Sequence, residues 1–314
     1  MTMLRPAFLA CLFAAFLAPA PSLHAQTKAP TPPPPVPDNL VLQRDVIFGK
    51  GGDRDLHADI AWPKNATGPL PAIIHIHGGG WIGGNYHWDG GLEHYAQAGY
   101  FVATIEYRLD NVAKWPAQVQ DCKCAVRWLR ANAAKFNIDP NRIGVIGESA
   151  GGHLVTCLGT MADVNDDEGD GGSPGVSSAV QAVVDFYGPT DFLTPDIYTD
   201  EAKRLTTGLF GVPREQNPDL WKSGSPVFYV AAGDPPMLLI HGDADPLVPL
   251  AQSQVFDAAL TKTGVPHQLL VIHNGVHGLA PLPGTKIDPG WQVINQTQLD
   301  FFAKYLQPSA PTAK

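Results

Sequence analysis

The sequence predicts one α/β domain: a mainly parallel sheet with helices on both faces and an antiparallel hairpin at its leading edge. Three observations carry that expectation. Six short β-branched runs recur along the chain, at 71–78, 100–107, 142–148, 182–188, 236–242 and 267–273. They are close to continuously apolar, the texture of strands buried on both faces. Helical patterns separate several of them, and strand–helix alternation implies parallel strands joined by crossovers. Ahead of these runs, "LVLQRDVIF" (40–48) and "RDLHADIAW" (54–62) flank the glycine-rich turn "GKGGD", which reads as a hairpin.

Taken in order, the first 25 residues have the layout of a secretory leader. Arg5 precedes an apolar run from Ala7 to Ala18, and small and turn-forming residues follow. That run falls short of the roughly 20 residues a membrane span needs, so stable membrane insertion is not expected. Cleavage after Ala25 would place the mature chain in a periplasm or outside the cell. Residues 26–39 contain consecutive prolines, which favour an extended spacer. The folded domain is expected over 40–306, with a flexible tail over 307–314.

Within the domain, 116–136 starts with a proline in its first turn and carries Val119, Cys122, Val126 and Leu129 at helical steps. Helices are also expected over 149–162, over 250–264 with Gly264 as its C-cap, and over 291–306. The stretch 189–235 breaks the rhythm. Rich in Pro, Gly and Asp, it reads as a small lid inserted over the carboxyl edge of the sheet. Residues 163–172 ("DVNDDEGDGG") read as a flexible acidic loop. Asp163, Asn165 and Asp167 begin a calcium-loop spacing, but Glu168 stands where glycine is needed and Pro174 where the bidentate glutamate should be.

Composition excludes several function classes. The chain has 21 basic against 30 acidic residues, and the leader would remove one of the basic ones. Such a balance argues against nucleic acid and against adhesion to anionic lipid. The cysteines match no zinc spacing, and no metal or cofactor is expected. Cys122 and Cys124 diverge on their helix, and one of them could bridge to Cys157 in an oxidising compartment. The alternative is three buried thiols acting as small hydrophobes.

The chemistry centres on "GESAG" (147–151). Ser149 falls between a buried strand and a helix, the context in which Gly-x-Ser-x-Gly holds a serine on a strained turn. Small neighbours let strand and helix approach, and the helix N-terminus points free N–H groups at any developing negative charge. A serine nucleophile needs a base, the base needs an orienting acid, and an oxyanion needs donors. "HGGGW" (77–81) ends the first central strand, where the N–H groups of Gly79 and Gly80, with that of Ala150, can form an oxyanion hole. "HGDADPLVP" (241–249) supplies carboxylates at a later strand end, and "HNGVHG" (273–278) supplies histidines at the last one. The order Ser, Asp, His along the chain is the one this chemistry takes on an α/β sheet.

Together "HGGGW", "GESAGGHL", "YGPTD", "HGDADPLVP" and "GVHG" resemble the α/β-hydrolase superfamily. More narrowly they resemble bacterial acetyl esterase/lipase-like and feruloyl-esterase-like carboxylesterases, related to the hormone-sensitive-lipase group. The resemblance covers about 40–306. It implies an α/β-hydrolase fold, with Ser149 as nucleophile, His277 as general base and Asp245 as orienter. Asp243 competes with Asp245, and the family's Gly-x-x-Asp pattern favours Asp245. His273 competes with His277, and the Gly-x-x-His-Gly match favours His277. His75, His77 and His153 are expected to bond local backbone. Where lipase relatives carry a helical cap, this chain has the hairpin, which favours the feruloyl-esterase-like branch.

The expected activity is hydrolysis of short-chain acyl or hydroxycinnamoyl-type esters, small or polysaccharide-linked, through an acyl-enzyme. A peptidase of the prolyl-oligopeptidase type is the nearest rival, but the chain has no room for the propeller those enzymes add. A non-catalytic binding module would normally lack a triad member. Trp81, Tyr86, Trp88, Trp221 and Phe228 are candidates for the substrate pocket, although core or surface packing is the commoner fate of such aromatics.

Overall fold

The computed structural model describes residues 35–306 except 89, 163, 165, 166 and 195–198. The leader, most of the spacer, the tail and two ligand positions of the calcium-like loop, Asp163 and Asn165, lie outside the described residues.

Eight strands form one sheet in the order β1-β2-β4-β3-β5-β6-β7-β8. β1 (Leu40–Gly51) and β2 (Arg54–Pro63) are the expected antiparallel hairpin. β2 is also antiparallel to β4 (Phe101–Ile105), and every later pairing is parallel. These pairings join β3 (Leu70–Ile76), β5 (Ile138–Glu148), β6 (Ala182–Phe186), β7 (Met237–Gly242) and β8 (His267–Ile272). The sheet is therefore mostly parallel, with α/β-hydrolase topology.

Helices cover both faces because both faces are apolar. α2 (Ala117–Ala131), α3 (Ala133–Phe136), α4 (Ala150–Thr160) and α7 (Ala251–Thr263) pack over one apolar layer. α1 (Glu93–Gln97) and α8 (Trp291–Leu306) pack over the other. The helix expected over 116–136 is two helices, broken at Asn132 and closed by Asn137 in the left-handed region at φ 54°. The stretch 189–235 is more regular than its composition suggests. It holds α5 (Asp200–Phe210), capped by the Thr199 side chain and ended by Gly211 at φ 75°, and α6 (Pro218–Ser223), capped by Asn217.

The acidic loop is stapled where it is described. Glu168 takes Lys123 Nζ at 3.1 Å, Arg127 Nη1 at 2.7 Å and the Ser178 hydroxyl at 2.6 Å. Lys123 and Arg127 are buried on α2, so this carboxylate neutralises charge brought under the loop. Cys122, Cys124 and Cys157 are buried and free, and burial pushes all three thiols up. They act as small core residues. No helix of the described residues is long and apolar enough to cross a membrane.

Candidate active site

The sheet delivers its chemistry at the carboxyl ends of β3, β5, β7 and β8. Ser149 sits between β5 and α4 at φ 54°, ψ −115°, a conformation a non-glycine residue adopts only when held there. Its N–H donates to Phe186 O at 2.8 Å, which ties the turn to β6. A Cβ at Gly151 would lie 1.9 Å from Ile76 O, so the helix start can lie against β3 only as glycine.

His277 Nε2 lies 2.9 Å from Ser149 Oγ, and its Nδ1 lies 2.7 Å from Asp245 Oδ2. Asp245 is itself immobilised. Its Oδ1 accepts the N–H groups of Leu247 and Val248, both at 2.9 Å, and His241 Nε2 stands 3.5 Å from its Oδ2. Burial pushes the Asp245 carboxyl up, but the bonds from His241, His277 and Val248 outweigh it and hold the group well below the usual carboxylate range. The loops after β7 and β8 are cross-tied by Ala244 N–H to Gly275 O at 3.0 Å. Tyr187 packs edge-on against the His277 ring at 4.9 Å.

The competing residues pair with each other instead. His273 Nδ1 meets Asp243 Oδ2 at 2.8 Å on an exposed surface, and neither is hydrogen-bonded to Ser149 or His277.

Gly79 (φ +113°) and Gly80 (φ +60°) turn the chain over Ser149, and an L side chain is strained in both conformations. The Gly79 carbonyl points back, accepting from Ile82 and Gly83 N–H at 3.1 Å. No acceptor among the described residues takes the N–H of Gly79, Gly80 or Ala150. These donors are available to a ligand oxygen at the elbow.

Two spaces meet at Ser149. One is a small apolar recess of about 20 Å³ whose lining includes Trp81, Pro189, Leu205, Leu247 and Val248. The other is an open cleft of about 440 Å³ reaching Tyr187, Glu201, Arg204 and His277. Leu205 lines both, so α5 of the 189–235 insertion forms a wall between them.

The aromatic candidates divide. Trp81 lines the recess, packed edge-on against His153 at 5.3 Å and Phe192 at 6.0 Å. Tyr86 and Trp88 line a separate cavity near Glu148. Trp221 and Phe228 reach neither space at Ser149. Trp221 is stacked on Phe210 with its N–H on Val212 O, and Phe228 is exposed beside Lys222. Burying the largest aromatic of α6 roofs the insertion with core rather than pocket.

Of the other histidines, His77 bonds Gly78 O at 2.8 Å, the local backbone partner expected of it, whereas His153 bonds backbone that is distant in sequence, Gly224 O at 2.7 Å. His75 departs from that expectation, because its Nε2 pairs with Glu148 at 2.8 Å. Residues 58–260 match the BD-FAE family model. The chain belongs to the BD-FAE family of α/β-hydrolase esterases.

Its relatives agree on that class. This esterase is 32% identical over 284 residues to esterase LipC of Mycobacterium tuberculosis, spanning 85% of this chain and 68% of LipC. It is 33% identical over 226 residues to esterase LipQ of the same organism, spanning 70% of this chain but 53% of LipQ. Among solved structures it is similar to a truncated carbohydrate esterase from gut microbiota, with TM-score 0.73, 32% identity, and coverage of 84% of this chain and 95% of that one. It is also similar to propionate-bound esterase Est2 of Thermogutta terrifontis, with TM-score 0.69, 26% identity, and coverage of 87% and 97%.

Sequence reasoning did not find Leu205, Glu201 and Arg204; the signal for α5 was Thr199 as N-cap, Asp200 and Glu201 in the first turn and Gly211 after the last. Nor did it find His241 as a neighbour of Asp245. The signal for His241 was its place one turn of chain before Asp245 at the end of a buried strand.

Proposed function

We propose that this esterase hydrolyses short-chain acyl esters through Ser149, His277 and Asp245. The observation that carries the reading is the continuous relay from Ser149 Oγ through His277 to Asp245, lying beneath unengaged N–H groups of the glycine loop. Ser149 Oγ attacks the ester carbonyl while His277 Nε2 takes its proton. The oxyanion is received by the N–H groups of Gly79, Gly80 and Ala150. Collapse of the tetrahedral adduct expels the alcohol, protonated by His277, and leaves an acyl-Ser149. Water, deprotonated by the same imidazole, then releases the acid. The depressed Asp245 carboxyl stays ionised throughout the working range and supports the imidazolium.

The dimensions support a small acyl group over a hydroxycinnamoyl one. On a scale where one water needs ~10–15 Å³, a recess of about 20 Å³ takes an acetyl methyl and little more. The larger cleft is left for the alcohol. The apolar run near the N-terminus supports export to a periplasm or the medium. Mature protein starting after Ala25 would be seen by N-terminal sequencing. The activity is tested with 4-nitrophenyl acetate and a serine-directed organophosphate. Hydrolysis abolished by one equivalent of inhibitor, with the adduct on Ser149, supports the reading. Hydrolysis that survives a completed adduct, or no hydrolysis at all, overturns it.

A further inference from the structure

A histidine stands in the sheet where an apolar side chain would be expected. Met237, Leu239 and His241 alternate onto one face of β7, and the first two belong to the apolar layer beneath α2, α4 and α7. His241 is fully buried there. A buried imidazole costs stability unless its nitrogens are bonded, and a leucine at this place would carry no such penalty. Both nitrogens are bonded, and the bonds lead to Asp245.

His241 Nε2 lies 2.7 Å from Val248 O, and a carbonyl only accepts, so Nε2 carries a proton. In the neutral ring Nδ1 is then an acceptor, and the Ser253 hydroxyl of α7 donates to it at 2.7 Å. Ser253 is fully buried too, so the ring is fixed from the helix side. Val248 is thereby held by both of its backbone groups. Its C=O accepts from His241, and its N–H donates to Asp245 Oδ1 at 2.9 Å. The same Nε2–H edge faces the other carboxylate oxygen, Asp245 Oδ2, at 3.5 Å. That oxygen is the one on which His277 Nδ1 rests, at 2.7 Å.

We propose that His241 is a positioning residue for the triad: it fixes the loop that carries Asp245, and with it the carboxylate plane against which the His277 ring is aligned. The inference rests on the esterase reading above and deepens it. The bonds of His241 go to Val248, Ser253 and Asp245, so it acts on the reaction through Asp245. A tilted carboxylate turns His277 Nε2 away from Ser149 Oγ, and a misplacement of about 1 Å can cost ~100-fold in rate. The N–H edge also offsets part of the Asp245 charge. Without it, more of that charge would support the His277 imidazolium, which would keep its proton to higher pH. Two other titratable groups stand near the ring. One is Asp185 on β6, whose carboxyl burial raises and His241 pulls back down. The other is Tyr187, edge-on at 6.4 Å.

The test uses purified full-length protein and 4-nitrophenyl acetate, with folding checked by the urea midpoint. His241→Leu suits the apolar layer but removes both bonds. In His241→Gln the side-chain amide can still donate to Val248 O. Ser253→Ala frees the ring to turn. In His241→Leu, kcat should fall about 30-fold with KM within about twofold, since acylation and deacylation both use His277. His241→Gln should stay within about fivefold of wild type, and Ser253→Ala should lose about threefold. The acid limb of the kcat/KM profile should lie at higher pH in His241→Leu than in His241→Gln. Both variants lack the imidazole beside Asp185, so that difference reports the N–H donor and not Asp185. A folded His241→Leu with kcat within about threefold of wild type overturns the proposal. So does a His241→Gln as slow as His241→Leu, or an acid limb the two share, because the histidine would then serve only the fold. If His241→Leu does not fold, Ser253→Ala decides, and a wild-type kcat there overturns the proposal. Each of these results leaves the esterase reading intact, because the wild type still cleaves the ester. If the wild type does not cleave it, or cleaves it with Ser149 blocked, it is the esterase reading that has failed.

Discussion

Trimming Leu205 to alanine should lengthen the acyl chain this esterase prefers. Leu205 projects from α5 into the wall between recess and cleft, with its terminal methyls 3.0 and 3.2 Å from where a Cβ on Gly80 would lie. On the proposed reading, a recess of about 20 Å³ would accept acetyl and leave longer chains to the open cleft. Activity on 4-nitrophenyl esters should therefore peak between acetyl and butyryl and fall by roughly tenfold or more at octanoyl, the factor that ~1.4 kcal/mol of lost fit implies. Leu205→Ala deletes three carbons from the wall. That space admits about two more methylenes, each worth ~0.8 kcal/mol when buried, or about 15-fold together in kcat/KM. The optimum should move out by about two carbons, and the hexanoate-to-acetate ratio should rise by that factor. The assay is kcat/KM across acetate to octanoate for both proteins. A profile of unchanged shape, merely lower at every length, would refute the assignment of this recess to the acyl group. A wild-type optimum at eight or more carbons would refute it more simply.

Other expectations follow from the same geometry. Asp245→Asn should cost on the order of 10⁴ in kcat by disturbing the tautomer and charge support of His277, whereas Asp243→Asn, on the exposed pair with His273, should cost little; reversed results in steady-state assays would exchange their roles. Asp185 is fully buried, and burial raises its carboxyl from 3.8 to about 7 against the opposing pull of His241 and the Gly188 N–H. The folded state then keeps a proton that the unfolded state releases, so stability falls as pH rises from about 4 to 7, by ~4 kcal/mol. Urea unfolding at pH 4 and pH 8 should show Asp185→Asn gaining on wild type toward alkaline pH, and parallel pH dependences would contradict this. His153 works in the opposite sense, because burial lowers it to about 4 despite the Gly224 bond. Its stabilisation is complete above its ordinary value of 6.5 and is lost as pH falls toward 4, so Asp185→Asn should expose an acid lability that the wild type offsets. Hydrolysis should be insensitive to EDTA, and loss of activity restored by zinc or calcium would overturn a metal-free mechanism.

The sheet was legible because its strands are buried on both faces and read as continuous apolar runs, which periodicity detects without tertiary information. The elbow was legible for a related reason. Gly147 and Gly151 are demanded by a close backbone approach on either side of Ser149, and such demands leave few residue choices. The helices of the insertion were masked by its Pro, Gly and Asp content. α5 carries Thr206, Thr207 and Gly208 in its second half, which weaken its propensity, so its signal lay in the ends, Thr199, Asp200, Glu201 and Gly211, as that of α6 lay in Asn217 and Pro218. The fate of the aromatics was equally hidden, since whether Trp81 and Trp221 line a pocket or a core depends on what folds beside them. His75 was expected to bond backbone, but its partner Glu148 is 73 residues away and meets it only across the β3–β5 ladder.

The central claim is that Ser149 is the nucleophile, and the most direct test is kcat for 4-nitrophenyl acetate in Ser149→Ala, with folding checked by circular dichroism and unfolding midpoint. The side chain is small and its removal leaves the elbow backbone bonded to Phe186, so the fold should survive. The account predicts a fall on the order of 10⁶, with a residue of rate from binding and the oxyanion donors. A folded variant that retains more than about a tenth of wild-type activity would contradict it, because no triad mechanism tolerates so small a loss.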